Sequence, residues 1–259
     1  MAAEQQDNQP LVTAAVLLIG DELLSGRTRD QNFHHIAELM TAKGIDVREA
    51  RIVSDTEDEI VAALNDLRAR YTYVFTTGGI GPTHDDITAN AVARAFGVGI
   101  GVNEEALALL KARYKDREIN EARLRMARTP HGATLVRNKV SAAPGFRIEN
   151  VIVMAGVPAI MRAMLDAVAP ELEGGIVMVS ETVRTHALEG DLGVPLGAIQ
   201  DNYGADVSIG SYPFFDNGVF GTQIVVRSRD RALLARAEAD VRALVERLEA
   251  GGTGDKPWS

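Results

Sequence analysis

Residues 76–88 combine glycines with hydroxyl and carboxyl side chains in one short segment, Thr-Thr-Gly-Gly-Ile-Gly-Pro-Thr-His-Asp-Asp-Ile-Thr. Glycines let a backbone turn sharply and approach a ligand closely. The amides at the start of a following helix, together with the helix dipole, favour an anion. The segment therefore predicts a phosphate-binding loop. The residues of this loop expected to contact the ligand are Gly78, Gly79, Gly81, Thr83 and Thr88.

Two familiar glycine motifs do not describe this loop. A Walker loop requires Lys followed by Ser or Thr after its glycines, and no such pair follows Gly81. Residues 97–101 do not complete a GxGxxG dinucleotide motif, because residue 102 is valine. The alternative to a ligand loop is a capping box, with Thr83 as N-cap and Asp86 three residues later, which contributes about 1 kcal/mol.

Two adjacent carboxylates, Asp85 and Asp86, end the loop. They would repel a bound phosphate unless a cation lies between them. Mg²⁺ prefers oxygen ligands and bridges carboxylates to substrate phosphates. This leads to the hypothesis that Asp85 or Asp86 helps to hold a divalent metal, with Mg²⁺ as first choice and Mn²⁺ or Co²⁺ as alternatives.

Further acids follow the first two predicted strands, with Asp21 after the first and Asp55 after the second. The carboxyl ends of parallel strands share one edge of a sheet, where open α/β proteins bind ligands. The alternative is that both acids are ordinary turn or cap residues. Three acid-bearing strand exits at one edge favour a site. Its expected members outside the glycine loop are Gly20, Asp21, Glu22, Asn32, Asp55, Gly156 and Pro158.

Hydrophobic patterning predicts alternating strands and helices up to about residue 170. Residues 11–19 form a nearly continuous apolar run, which is typical of a buried parallel strand. Successive strand–helix units favour a mostly parallel sheet covered on both faces, a three-layer αβα sandwich. The predicted strands are 11–19, 47–53, 73–77, 135–136, 145–148 and 151–155, and the predicted helices include 36–40, 60–67, 86–96, 104–114, 120–128 and 158–168.

The pattern changes after Pro170, where we expect a small C-terminal α+β domain. Strands are predicted at 176–179 and 182–188, a helix at 194–203, and a hairpin of 207–212 with 220–226 around Asp216-Asn217-Gly218. A long final helix carries an apolar stripe between residues 233 and 248. The predicted domains are 11–172 and 175–250, between flexible tails at 1–10 and 251–259.

Bulk composition narrows the class of protein. The 259 residues are 46% hydrophobic, which argues against global disorder. A net charge of −9 disfavours a general nucleic-acid binder, and no apolar run approaches the ~20 residues that span a membrane. The chain has no cysteine, so disulfides, thiolate zinc sites and cysteine nucleophiles are excluded. A cytoplasmic protein with a small-molecule ligand is expected.

These motifs resemble the MoaB/Mog molybdopterin-binding superfamily, and within it the N-terminal region of the CinA (competence/damage-inducible) proteins. The N-terminal domain of eukaryotic FAD synthase is similar. The resemblance is strong over residues 11–170. It rests on Gly20-Asp21-Glu22-Leu23-Leu24-Ser25-Gly26, Asp30-x-Asn32, Thr77-Gly78-Gly79-Ile80-Gly81-Pro82-Thr83-x-Asp85-Asp86-x-Thr88, Ala143-Pro144-Gly145-Phe146 and Gly156-Val157-Pro158.

The resemblance implies a MogA-like fold, a homo-oligomer such as a dimer or trimer, and functional roles for Asp55 and Asp86. CinA-like members are associated with metal-dependent cleavage of nucleotide pyrophosphates such as ADP-ribose. This chain is too short for the C-terminal amidase domain of full CinA proteins, so deamidation is not implied. It departs from the CinA pattern at Ala155, Ile160 and Asp21, where Pro, Glu and Thr are common.

Three functions follow as hypotheses. The first is a metal-dependent pyrophosphatase acting on ADP-ribose or FAD, in which Asp86 with Asp85 or Asp55 holds the metal. The Gly79 and Gly81 amides would stabilise the charge that develops on phosphate. The second is a protein of molybdenum cofactor biosynthesis that binds or adenylylates molybdopterin. The third is a non-catalytic binding module.

Overall fold

The structure is a computed structural model that describes residues 11–115, 117–216 and 218–251. The predicted flexible tails therefore lie outside the described residues, apart from Gly251, and so does Asn217 in the predicted hairpin turn. The chain divides into two compact units between Gly175 and Ile176, and each is described by itself. Within the described ranges, no helix is both long and apolar enough to cross a membrane.

The first unit is built on a six-stranded sheet. Its central strands are buried on both faces because helices cover both sides. The strands of this unit are β1 (Thr13–Ile19), β2 (Asp46–Val53), β3 (Tyr73–Thr77), β4 (Ile100–Val102), β5 (Arg128–Pro130), β6 (Thr134–Val136), β7 (Gly145–Ile148) and β8 (Val151–Met154). The sheet order is β2-β1-β3-β8-β7-β6, with the first four strands parallel and β7 and β6 antiparallel.

Alternate residues of β1 enter different cores, which shows how the layers form. Val16 and Leu18 pack with helices on one face, and Leu17 and Ile19 pack with helices on the other. The helices of the unit are α1 (Asp21–Leu24), α2 (Asn32–Ala42), α3 (Glu57–Arg70), α4 (Thr88–Phe96), α5 (Glu104–Arg113), α6 (Glu121–Arg125) and α7 (Pro158–Val168). Helices α2 and α7 cover the first face and α3 and α4 the second, which confirms the predicted three-layer sandwich.

Two helix predictions in this unit were wrong in extent. The helix expected over 120–128 is the short α6, because the chain then leaves to form β5, which pairs with β4. The helix expected from residue 86 begins at Thr88, and Ile87 is its N-cap. The capping-box alternative is therefore wrong, since no helix starts at Thr83.

The second unit is a three-stranded antiparallel sheet packed against helices, as predicted for a small α+β domain. The order is β10-β11-β9. Its elements are β9 (Val179–Thr185), α8 (Glu189–Tyr203), β10 (Val207–Asp216), β11 (Val219–Ser228) and α9 (Arg231–Ala250). The apolar stripe of α9 enters a single core with Val183, Leu192 and Ile224. The strands predicted at 176–179 and 182–188 are the single strand β9, and α8 starts five residues before the predicted Val194.

Candidate functional site

The glycine loop leaves β3 and is pinned by Thr88, the first residue of α4. The Thr88 hydroxyl donates to the Gly78 carbonyl at 3.0 Å, and the Thr88 amide donates to the Gly79 carbonyl at 3.0 Å. Gly79 has φ 66°, and a Cβ added to it would lie 2.2 Å from Thr88 Oγ1. Only glycine fits this position, because the backbone is left-handed and tightly packed.

The backbone amides of Gly79, Ile80 and Gly81 donate no hydrogen bond within the part of the chain that the structure describes. All three residues line a cavity. Unpaired amides at a cavity wall are the donors that an anionic oxygen requires. The groups available to donate hydrogen bonds to an anion are thus the amides of the loop itself. The first amide of α4 is already engaged by the Gly79 carbonyl.

The Asp86 side chain closes the end of the loop. Its Oδ2 accepts from the Thr83 amide at 2.8 Å and from the Thr83 hydroxyl at 2.5 Å. Its Oδ1 accepts no hydrogen bond from any described residue. The neighbouring Asp85 is exposed. Asp86 thus combines a structural role with an open oxygen at the cavity wall.

The exits of β1 and β2 are tied together beside the loop. The Gly20 amide donates to the Val53 carbonyl at 3.1 Å, and the Asp21 amide donates to Asp55 Oδ2 at 3.0 Å. The α1 turn that follows brings Glu22 to the same cavity as Asp55. Strand pairing therefore places the acids of two strand exits next to the glycine loop.

A cavity of about 530 Å³ joins these features. Its volume is in the range typical of small-molecule sites. No lysine or arginine is among the described residues that line it, although four carboxylates are. The predicted site residues on its wall are Gly20, Glu22, Asp55, Gly78, Gly79, Gly81, Asp85, Asp86, Gly156 and Pro158.

The electrostatics of the cavity centre on Asp55. Burial raises the pKa of this carboxyl above its ordinary value, and nearby negative charges raise it further. The Asp21 amide, which donates to the carboxylate, acts in the opposite direction and only partly offsets the rise. The acids that repel Asp55 are Asp21, Glu22 and Asp85. The site therefore carries negative charge without a protein cation on its wall.

The remaining predicted residues, Asp21, Asn32, Thr83 and Thr88, do not line the cavity but support it. Asn32 is 5% exposed and its Nδ2 donates to the Gly156 carbonyl at 2.8 Å. A longer contact of 3.4 Å reaches Thr77 Oγ1. Asn32 thus joins the end of β3 to the turn after β8, and its buried Oδ1 has no partner in the described chain.

Replacing Asn32 with alanine is expected to destabilise the first unit by about 1–3 kcal/mol, because the Gly156 carbonyl loses its buried donor. Urea unfolding measures this effect. Asn65→Ala is the control, since Asn65 is exposed and among the described residues its side chain accepts only from Arg68 Nε; it should change stability by less than about 0.5 kcal/mol. Equal effects of the two variants would contradict the proposed role of Asn32.

Several residues that line the cavity belong to no motif that could be recognised in the sequence. Met126, Ser141 and Met164 line the cavity from segments distant along the chain. Arg125 and Arg128 line a narrow fissure next to the glycine loop, together with Gly79, Gly81 and Asp86. Both residues are half-buried, and neither guanidinium group pairs with a described residue. The one available signal in the sequence is that two arginines lie three residues apart, at the end of α6 and the start of β5.

The acidic cavity contains oxygen ligands of the kind that divalent metal ions bind. Within the described ranges, no three His, Asp or Glu side chains are arranged to hold an ion by themselves. The Asp85 carboxylate and the open Oδ1 of Asp86 are oxygen donors of the type that Mg²⁺ prefers. They fit an ion that takes most of its ligands from phosphate and water.

Comparison with known proteins identifies the family. The profile described as probable molybdopterin binding domain matches residues 15–174, and that described as FAD synthase, middle domain, matches residues 177–250. The chain belongs to the MoaB/Mog family of probable molybdopterin binding domains, which confirms the resemblance inferred from the motifs.

CinA-like proteins are among the similar relatives. One from Gemmatimonas aurantiaca is 32% identical over 89% of this chain and 61% of its own length. One from Syntrophotalea carbinolica is 39% identical over 59% of this chain and 38% of its own. The crystal structure of CinA from Thermoplasma acidophilum is 34% identical with a TM-score of 0.59, covering 61% of this chain and 96% of that one. The chain spans less than two thirds of these two curated relatives.

Proposed function

We propose that this protein is a metal-dependent pyrophosphatase that cleaves a nucleotide diphosphate such as ADP-ribose or FAD. One observation carries the proposal: the unpaired amides of Gly79, Ile80 and Gly81 and the four carboxylates line the same cavity. The amides suit a phosphate oxygen, and the excess negative charge suits a divalent cation. The match of the second unit to a domain of FAD synthase agrees with a nucleotide ligand.

In the proposed reaction, water attacks one phosphorus of the diphosphate and the bond to the bridging oxygen breaks. Two phosphate monoesters result, and the water proton passes to a base. Asp55 is the proposed base, because its raised pKa makes it a better proton acceptor than an ordinary carboxylate. The loop amides stabilise charge on the equatorial oxygens. A bound Mg²⁺, Mn²⁺ or Co²⁺ would neutralise the diphosphate and polarise the water.

Arg125 and Arg128 support the same proposal. Both residues line the same fissure as the glycine loop, and neither guanidinium group has a partner among the described residues. Guanidinium groups bind phosphate oxygens in a bidentate manner. They would supply positive charge from the fissure that also contains Gly79, Gly81 and Asp86.

Two other functions remain as alternatives. The family profile favours molybdopterin as the ligand, either bound or adenylylated. A non-catalytic binding module is the second alternative, and it requires neither turnover nor tight pterin binding.

The oligomeric state and the partners stay predictions. We expect a homo-oligomer, which analytical sedimentation would test. Nucleic acid and membranes are not expected as partners.

The test is a screen of ADP-ribose, FAD, NAD and ATP with Mg²⁺, Mn²⁺ or Co²⁺, with products separated by chromatography. We expect metal-dependent release of AMP from at least one diphosphate, EDTA to stop it, and Asp86→Ala to abolish it. Asp86→Asn keeps an acceptor for the Thr83 amide, so its failure to restore activity would assign the loss to the missing charge. Tight molybdopterin binding without turnover of any nucleotide would instead support the cofactor role.

A further inference from the structure

A second cavity of about 580 Å³ lies in the first unit. Its walls come from α5, from the segment that precedes β7, and from α7. The residues that line it are Leu109, Arg137, Asn138, Lys139, Ser141, Ala142, Pro144, Ala163, Asp166 and Ala167. Its volume is that of a site for a small organic molecule.

This cavity and the site described above meet along a shared wall. Ser141 lines both. On α7, Ile160 and Met164 line the first cavity, and Ala163 and Ala167 line the second. The helix therefore presents two adjacent faces to two adjacent spaces.

The loop at the junction is held in place by Asn138. Its Oδ1 accepts from the amides of Val140 at 3.1 Å and Ser141 at 2.5 Å, and its Nδ2 donates to the Ala143 carbonyl at 2.9 Å. The Ser141 hydroxyl accepts from the Ala143 amide at 3.2 Å, which leaves its proton available to a ligand. The Ser141 hydroxyl is therefore a well-positioned polar group between two partly apolar cavities.

The second cavity has the chemistry of a ring-and-sugar site. Leu109, Ala142 and Pro144 give apolar walls against which a flat ring can pack. The Asp166 carboxylate can accept from ribose hydroxyls. Lys139 is exposed at this cavity and has no partner among the described residues, which suits an anionic ligand.

We propose that the second cavity binds the distal half of a dinucleotide whose diphosphate lies on the glycine loop. The inference rests on the proposed function and adds to it a second subsite, which would hold the half of the ligand that lies beyond the diphosphate. Each cavity has room for one nucleoside-sized group. A mononucleotide can occupy one cavity, whereas two such groups joined by a diphosphate can occupy both.

The test fills the second cavity with a side chain. Ala163→Phe is expected to weaken binding of a methylene-bridged NAD analogue, which has two nucleosides and cannot be hydrolysed at the bridge, by about tenfold or more. Binding of AMP should stay within about twofold. Titration calorimetry with Mg²⁺ gives both constants. Arg162→Phe is the matched control, because it adds the same ring to an exposed position of α7 that lines neither cavity and should change neither constant.

The outcomes separate the two claims. If Ala163→Phe weakens the binding of both ligands equally, or weakens the binding of neither, the second subsite is overturned and the phosphate site is unaffected. Failure of the wild-type protein to bind either ligand would overturn the proposed function and the subsite together. Sedimentation of Ala163→Phe is expected to show the wild-type mass. A change in mass would show that another copy of the chain covers this cavity, and it would also overturn the second subsite.

Discussion

Replacing Asp55 with asparagine is expected to lower diphosphate turnover by a factor of about 10²–10⁴, the usual contribution of a general base. Asparagine keeps an oxygen that can accept from the Asp21 amide, so the junction of β1 and β2 should survive. Asp58→Asn is the control, because Asp58 pairs with exposed Arg94 near the start of α3. Near-wild-type turnover by Asp55→Asn would exclude Asp55 as the base.

The same substitution should stabilise the fold at neutral pH. Burial and neighbouring acids raise the pKa of Asp55 in the folded protein, so the ionised form is less favourable there than in the unfolded chain. The associated stability is present below the unfolded-state pKa and is lost as pH rises through the higher folded-state pKa. Asp55→Asn should therefore melt above the wild type at pH 7 and lose this difference in acid.

The pH dependence of turnover is a third test of Asp55 as the general base. A base must be ionised, so kcat/KM should fall in acid with an apparent pKa above that of an ordinary aspartate. The residual activity of Asp55→Asn should lack this acid limb. An unchanged acid limb in the variant would assign the titration to another group.

Replacing Gly79 with alanine is expected to abolish ligand binding and to destabilise the fold by more than the ~1–2 kcal/mol of a left-handed alanine. The added Cβ would lie 2.2 Å from Thr88 Oγ1, so the loop or Thr88 must move. Since Thr88 anchors the loop to α4, the amides of Gly79 and Gly81 would move with it. Thermal unfolding and titration calorimetry measure the two effects.

Gly97 is a closely matched control for this substitution. Its φ is 65°, against 66° at Gly79, but a Cβ added to Gly97 meets nothing within 4 Å. Gly97→Ala should therefore cost only the backbone strain and leave ligand binding intact. Similar losses of stability and affinity in both variants would show that the glycine loop has no special role.

The sheet could be predicted from the sequence because each of its central strands is marked by residues next to one another in the chain. The apolar run before Gly20 and the strand that ends at Thr77 are each visible without knowledge of their partners. Parallel pairing of β1 with β2 and β3 then places Asp21, Asp55 and the glycine loop at one edge. These features follow from strand order and strand polarity alone.

Other parts of the fold were hidden because the deciding contacts are remote in sequence. Helix α8 contains Gly193, Pro195 and Gly197, which have low helix propensity, so only tertiary packing of Leu192 and Leu196 reveals its start.

Parts of the site were hidden for the same reason. The Thr83–Asp86 spacing suited a helix cap, but in the structure it closes a turn ahead of α4. The bond of Asn32 to Gly156 joins residues 124 positions apart. No local pattern encodes such a contact.

The most direct test of the central claim observes the loop amides during binding. With ¹⁵N-labelled glycine, the protein gives at most 24 glycine amide signals. Titration with methylene-bridged ADP-ribose and Mg²⁺ should shift the signals of Gly79 and Gly81 strongly and leave that of Gly97 in place. Saturable binding with no movement of the Gly79 and Gly81 signals would place the ligand elsewhere and contradict the account.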